Sequence, residues 1–147
     1  MNAPDAGGAI GRSYAQVQVG DALTPLTCPP VTRYMLAVYA GASGDPHPIH
    51  IDLDYARKAG MPDVFAHGML GMAWLGRLLT RWLPQARLRK FNVRFAGITH
   101  LGHRITCTAQ VLNKFEEDGE KRVLLEVAAV DQYGQTKIAG TAVVALD

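Results

Sequence analysis

The chain has 147 residues, 48% of them apolar, enough for one hydrophobic core and too few for a second domain of ordinary size. Its net charge of +2 arises from 15 basic and 13 acidic residues scattered along the sequence, so no basic block exists to track a phosphate backbone, and nucleic acid is not expected as a partner. The two cysteines, Cys28 and Cys107, lie far apart in no CxxC spacing; this fits a cytoplasmic, reducing environment and predicts two small buried hydrophobes rather than a disulfide.

The opening MNAPDAGGAIG has neither a basic start nor an apolar core, so residues 1–12 read as a flexible tail rather than a signal peptide or membrane anchor. From Tyr14 to Gly20 apolar and polar residues alternate, which predicts a short strand; Asp21 to Pro30 is then interrupted by three prolines. Thr32 is placed to cap a helix through Tyr34, Leu36, Val38 and Tyr39, which runs out in the small residues Gly41 to Gly44. The stretch GDPHPIHID predicts a loop, because Pro46 and Pro48 remove backbone donors and bias their predecessors away from helix. Asp52 can cap a brief helical turn that Gly60 would end.

Ala66 to Leu83 is apolar on nearly every face until Arg77 and Arg81, and Pro84 stops it. Such a pattern predicts a helix buried all round, short of the roughly 20 apolar residues of a membrane span. Gly68, Gly71 and Gly76 within it predict close approach of another backbone. Alternating runs follow at KFNVRFAG, RITCTAQVLNKF, RVLLEVAAV and TKIAGTAVVAL, separated by turn residues such as Glu117-Asp118-Gly119 and Tyr133-Gly134. The expected architecture is a single α+β domain over 1–147, an antiparallel meander curled round one long central helix.

The chemistry concentrates between Gly44 and Gly68. Asp45, His47, His50 and Asp52, with His67 nearby, have the ligand types of a metal cage, but the HxxH spacing falls on no predicted helix that would align the rings. Each residue alone is also an ordinary turn or loop residue. Together they suggest an acid/base pair: a carboxylate and an imidazole five residues apart, in a loop stiffened by two prolines. The N-terminus of the central helix, at His67-Gly68-Met69, offers unpaired N–H groups, and Gly68 has no side chain to keep a carbonyl oxygen from its N–H.

The run YAGASGDPHPIHIDLDYARKAG, followed by FAHGMLGMAWLGRLL and FNVRFAG, resembles the MaoC-like family of (R)-specific enoyl-CoA hydratases and 3-hydroxyacyl dehydratases, whose members have the hotdog fold. The family's hydratase motif maps onto Asp45, Pro48 and His50, its following Asp, Ala and Gly onto Asp52, Ala56 and Gly60, and its HGM element onto His67, Gly68 and Met69. Relatives commonly carry asparagine where this chain has His47, a Pro-Val pair at Ile98-Thr99, and Gly-Asp at Gly102-His103.

The resemblance implies reversible hydration of trans-2-enoyl thioesters, attached to coenzyme A or acyl carrier protein, without metal or other cofactor. Asp45 would act as base, His50 as partner acid, both addressing one water, with Gly68 as oxyanion donor. His47, His67, Met69, Met72 and Arg94 are the candidate substrate contacts, with Trp74 a further acyl-channel candidate; Arg87, Arg89 and Lys90 join Arg94 as candidates for phosphate or acidic carrier surfaces. His100 and His103 carry no assignment beyond loop positions. A homodimer, or one half of a heterodimer of related subunits, is the expected assembly. A hotdog thioesterase and a non-catalytic acyl-thioester binder are the rival functions; the first leaves the Asp45 and His50 pair without a purpose, and the second predicts its loss.

Overall fold

The computed structural model describes residues 12–147; apart from Arg12, the tail expected over 1–12 lies outside the described residues. In chain order the elements are β1 (Leu26–Thr27), α1 (Arg33–Ser43), a 3-10 turn (Pro48–His50), α2 (Leu53–Lys58), α3 (Gly68–Trp82), a second 3-10 turn (Gln85–Arg87), β2 (Leu88–Phe95), β3 (Thr106–Glu117), β4 (Glu120–Val130) and β5 (Thr136–Leu146). The strands make one antiparallel sheet in the order β1-β3-β4-β5-β2. Its inner face packs on α3, as the α+β reading predicts.

Local chemistry explains the elements. The Thr32 hydroxyl accepts the Met35 N–H at 3.1 Å and starts α1, which ends at Gly44 with φ +72°. That left-handed conformation favours glycine, and it turns the chain sharply into the DPHPIH loop. The Asp52 carboxylate caps α2 by accepting the N–H groups of Asp54 and Tyr55. In the sheet, Cys107, Ala109 and Val111 of β3, Val123, Leu125, Val127 and Ala129 of β4, and Ile138, Ala142 and Val144 of β5 alternate into the core. They meet Leu70, Trp74, Leu75, Leu78 and Leu79 of α3. Both cysteines are free and buried.

Three expectations need correction. The segment Tyr14 to Gly20 is not a strand: the Gln16 and Val17 N–H groups turn back to the Ser13 carbonyl, and only Val17 is buried. The Lys114 ammonium donates to the carbonyls of Tyr14 and Val17, both at 2.6 Å, so a side chain satisfies backbone groups that a ladder would otherwise pair.

The helix α3 is buried on one side only. Met69, Ala73, Arg77 and Arg81, four residues apart, form an exposed stripe, which makes the helix amphipathic rather than enclosed. Its glycines meet side chains, not backbone: a Cβ on Gly71 would come within 2.6 Å of Ile138 Cδ1, and one on Gly68 within 3.0 Å of the Phe95 ring. The backbone approach occurs instead at Gly140 of β5, where a Cβ would overlap the Asn92 carbonyl.

Lastly, only β3, β4 and β5 form a meander. β2 lies beyond β5, with Phe91 opposite Ala142 and Val93 opposite Gly140, so the segment from Ala96 to Ile105 must cross the sheet to reach β3. On its way it bridges Phe65 at His100, and the Thr99 carbonyl accepts the Ala66 N–H at 2.9 Å. That crossing fixes the two residues leading into α3.

Candidate active site

Successive side-chain caps hold the loop after α1. Asp45 Oδ1 accepts the His47 N–H at 3.4 Å, and His47 Nδ1 accepts the Ile49 N–H at 3.2 Å at the start of the 3-10 turn. Pro48 leads that turn, and its carbonyl receives the Asp52 N–H at 2.7 Å. His47 thus performs the turn-closing task that an asparagine oxygen performs elsewhere. It is exposed and sets its ring edge-on to Tyr55.

His50 emerges from the end of the turn, half-buried, and its Nδ1 lies 2.7 Å from the Phe65 carbonyl. A carbonyl only accepts, so Nδ1 carries the hydrogen and the neutral ring keeps its lone pair on Nε2. Burial holds His50 below the ordinary imidazole range; the neighbouring His67 and His47 push the same way, while the Phe65 carbonyl and the Asp45 charge oppose. The ring is therefore neutral at neutral pH, with an unshared pair available. Tyr39 of α1, beside the same cluster, has its phenol raised by burial and then by the Asp45 charge.

His67 precedes α3. Its Nε2 donates to the Asp45 carbonyl at 3.0 Å, and its ring stacks on that of His50 at 3.8 Å between centroids and 26° between planes. One carboxylate oxygen of Asp45 and one ring nitrogen each of His50 and His67 lie within 4.8 Å of one another. A water with two hydrogen bonds of ordinary length spans about 4.6 Å between its partners, a span within that limit. A metal ion fits this trio poorly. His67 Nε2 gives its hydrogen to the Asp45 carbonyl, so the lone pair of that ring lies on the enclosed Nδ1, whereas a small cation needs ligand lone pairs converging on one point.

Gly68 is the first residue of α3, and no group among the described residues accepts its N–H. It opens on a cleft of about 180 Å³ whose walls include Phe65, Gly68, Gly71, Trp74, Phe95 and Ile98. Its lining is mostly apolar, with His67 and Thr99 the polar side chains and the Gly68 N–H at the helix terminus.

Sequence reasoning singled out Asp45, His50, Gly68 and Trp74; in the structure Asp45 and His50 lie against His67 at the start of α3, and Gly68 and Trp74 line the cleft. Met69 and Met72 do not line the cleft; Met69 is 55% exposed on the outer stripe and Met72 packs against the core. His67 is only 3% exposed; it contacts Asp45 and His50 and also forms part of the cleft wall. Arg94 is exposed on the outer sheet face. Of its basic neighbours, Arg87 pairs with Asp147, Arg89 with Glu120 and Lys90 with Glu117, so three of the four cations expected for phosphates already have carboxylate partners. Tyr39 and the Phe65 carbonyl escaped the sequence reading. A tyrosine in a helix and a backbone oxygen carry no motif.

A curled antiparallel sheet about a central helix, with an Asp/His pair and a free N–H at the helix N-terminus, defines a hotdog domain with an acyl-handling type of site. Residues 16–132 match the model of the MaoC like domain, and the chain belongs to that family. The R-hydratase PhaJ1 of Pseudomonas aeruginosa superposes with a TM-score of 0.80 at 27% identity, over 92% of this chain and 86% of that one. Fatty acid synthase beta subunit TOXC of Cochliobolus carbonum is 30% identical over 107 residues, 71% of this chain and 5% of that protein. The mitochondrial 3-hydroxyacyl-[acyl-carrier-protein] dehydratase of Arabidopsis thaliana is 30% identical over 77 residues, 52% of this chain and 46% of that protein. The chain thus spans a small part of the synthase subunit and about half of the plant dehydratase.

Proposed function

We propose that this protein is a hydro-lyase that adds water reversibly to trans-2-enoyl thioesters, giving (R)-3-hydroxyacyl thioesters. The observation that carries this reading is the cluster of an Asp45 carboxylate oxygen with His50 and His67 ring nitrogens, within 4.8 Å of one another, at the helix start where the Gly68 N–H is free. Membership of the MaoC like family, and relatives named as R-hydratase and as 3-hydroxyacyl-carrier-protein dehydratase, support the same chemistry with either coenzyme A or a carrier protein as the thiol.

In hydration, the His50 Nε2 lone pair takes a proton from the water as its oxygen attacks C3. Asp45, an ion that only accepts, aligns the second hydrogen and steadies the imidazolium. Negative charge moves onto the thioester oxygen, where the Gly68 N–H and the positive end of α3 receive it, a contribution of about 3 kcal/mol in comparable sites. The imidazolium then returns its proton to C2 on the face it took it from. One C–O and one C–H bond form, the C2–C3 double bond becomes single, and the pair ends as it began. The neutral ring and its Phe65 anchor favour His50 over Asp45 as the base, the reverse of the order implied by the resemblance.

Arg94, with no ion-pair partner among the described residues, is the remaining candidate of its strand for a phosphate of the thiol carrier. A homodimer is favoured by the outer edge of β2, which pairs on one side only, and by the exposed Met69, Phe95 and Ile98 nearby. Among the described residues no helix is long and apolar enough to cross a membrane, and the buried free thiols suit the cytoplasm.

The test is to follow loss of enoyl-thioester absorbance and release of free thiol in parallel, with short, medium and long trans-2-enoyl-CoA. Hydration without thiol release is expected. Thiol release alone would give a thioesterase, and neither signal at any chain length would leave a binder.

A further inference from the structure

His67 makes more contacts with the reacting residues than any function so far assigned to it explains. It is not a helix cap, because no N–H of α3 bonds to its side chain. It forms part of the cleft wall, but the residue is only 3% exposed, its Nδ1 is fully enclosed without a hydrogen-bond partner, and its Nε2 is taken by the Asp45 carbonyl, so neither nitrogen is offered to a ligand. What it does touch is specific. Nε2–H donates to the Asp45 carbonyl, one face lies on His50, and its edge meets the Tyr39 ring with centroids 4.8 Å apart. Tyr39 belongs to α1, Asp45 and His50 to the loop, and His67 to the start of α3. The ring is thus the common wall on which three separate pieces of chain meet.

Two consequences follow. Asp45 sits just after the left-handed Gly44, at a place where the backbone can swing, and the His67 hydrogen bond is the tie from that backbone to α3. The stack on His50 limits rotation about the 2.7 Å bond to Phe65, which alone would leave the ring free to tilt. We propose that His67 is a positioning residue, which holds the Asp45 carboxylate and the His50 ring at water-sharing distance and in register with the Gly68 N–H. The proposal rests on the hydro-lyase reading for its effect on rate but not for its effect on His50 itself. The groups facing His50 are Asp45 and His47 from its own loop, the Phe65 carbonyl from the segment before α3, and His67; the first and third favour the protonated ring and the two imidazoles disfavour it.

The test uses His67→Phe, which keeps an aromatic ring for the stack but has no N–H and no charge, and His67→Gln, whose amide can still donate to the Asp45 carbonyl. Ring-carbon NMR titration of His50, which needs no substrate, should show protonation at higher pH in His67→Phe than in the wild type, because one disfavouring neighbour is gone. With enoyl-CoA, kcat should fall by about 10- to 100-fold with KM within about twofold, and the acid limb of the rate profile should move to higher pH with the NMR value. His67→Gln should recover at least part of the lost kcat. An unmoved His50 titration together with wild-type kcat in a folded His67→Phe protein would overturn the proposal. So would equal losses in the two variants, since packing alone would then account for the effect. Wild-type protein that hydrates no enoyl thioester, while the His50 titration still moves, would count against the hydro-lyase reading and leave the positioning of His50 supported.

Discussion

Two histidine clusters, one at the start of α3 and one within the segment that crosses the sheet, differ in what faces their carboxylate. At one, His47, His50 and His67 surround Asp45; at the other, His100 and His103 sit near Asp131 and Lys137. Asp131 is the more deeply buried carboxylate, but a cation already faces it. Its Oδ1 accepts the N–H groups of Tyr133 and Gln135, and Oδ2 faces the Lys137 ammonium at 3.2 Å, an ion pair without good hydrogen-bond alignment. His103 stands 3.6 Å off, and burial followed by the Lys137 charge holds it below the ordinary imidazole range. In the Asp45 cluster, by contrast, no ion-pair partner among the described residues faces the carboxylate, and the neutral His50 ring keeps a lone pair on Nε2. Proximity of His and Asp does not make a site; unshared lone pairs beside an apolar cleft do.

The contrast can be broken from either side. Asp45→Asn and His50→Ala should each lower kcat for hydration by 100-fold or more, as measured by enoyl absorbance, with little change in melting temperature. Gly68→Ala should cost about 10- to 100-fold, because the added methyl meets the Phe95 ring at 3.0 Å, and the shift needed to relieve that contact moves the helix start that carries the Gly68 N–H or the ring that walls the cleft. For pH, His50 is held below its unfolded value, so the neutral, active ring persists down to its lowered folded value and is lost as pH falls through that one. The acid limb of kcat/KM should therefore lie below about pH 6.5. Smaller effects are expected at His47: His47→Asn keeps an acceptor for the Ile49 N–H and should stay within about threefold of wild type, whereas His47→Ala loses the turn closure and should fall further.

In the other cluster the signs reverse. Asp131→Asn should lower the melting temperature by several degrees, about 5–10 °C, with kcat within about threefold. Its carboxyl is drawn below the usual range despite burial, by the Gln135 N–H, Lys137 and the Tyr133 N–H. Its stabilisation is thus full at neutral pH and is lost as pH falls through the depressed value. A calorimetric series from pH 7 downward should find the wild-type advantage over Asp131→Asn shrinking on the acid side.

Much of this was legible in the sequence because it depends on local chemistry. Thr32, Gly44, Asp52 and Gly60 announce helix ends through capping and left-handed backbone, and the alternation through β3, β4 and β5 follows from one buried face. The Asp45 and His50 spacing, stiffened by Pro46 and Pro48, was readable for the same reason. What the sequence concealed depends on long-range placement. The pairing of β2 with β5 rather than β3 turns on Gly140 admitting the Asn92 carbonyl, a contact between residues 48 positions apart. The inward turn of His67 depends on the crossing segment fixing Phe65 and Ala66. Alternation misled at Tyr14 to Gly20, where the carbonyls found the Lys114 ammonium instead of a neighbouring strand. Charge counting misled at Arg87, Arg89 and Lys90, whose partners are distant in sequence.

The central claim is that one water, held by Asp45 and His50 on one face of the substrate, supplies both the hydroxyl and the new hydrogen. Hydration of a trans-2-enoyl-CoA in deuterium oxide, with the product resolved by NMR and chiral chromatography, tests it directly. The account predicts the (R)-3-hydroxyacyl product with a single deuterium at C2, on the same face as the C3 oxygen. Addition from opposite faces, or a mixture of both C2 configurations in the initial product, would contradict it.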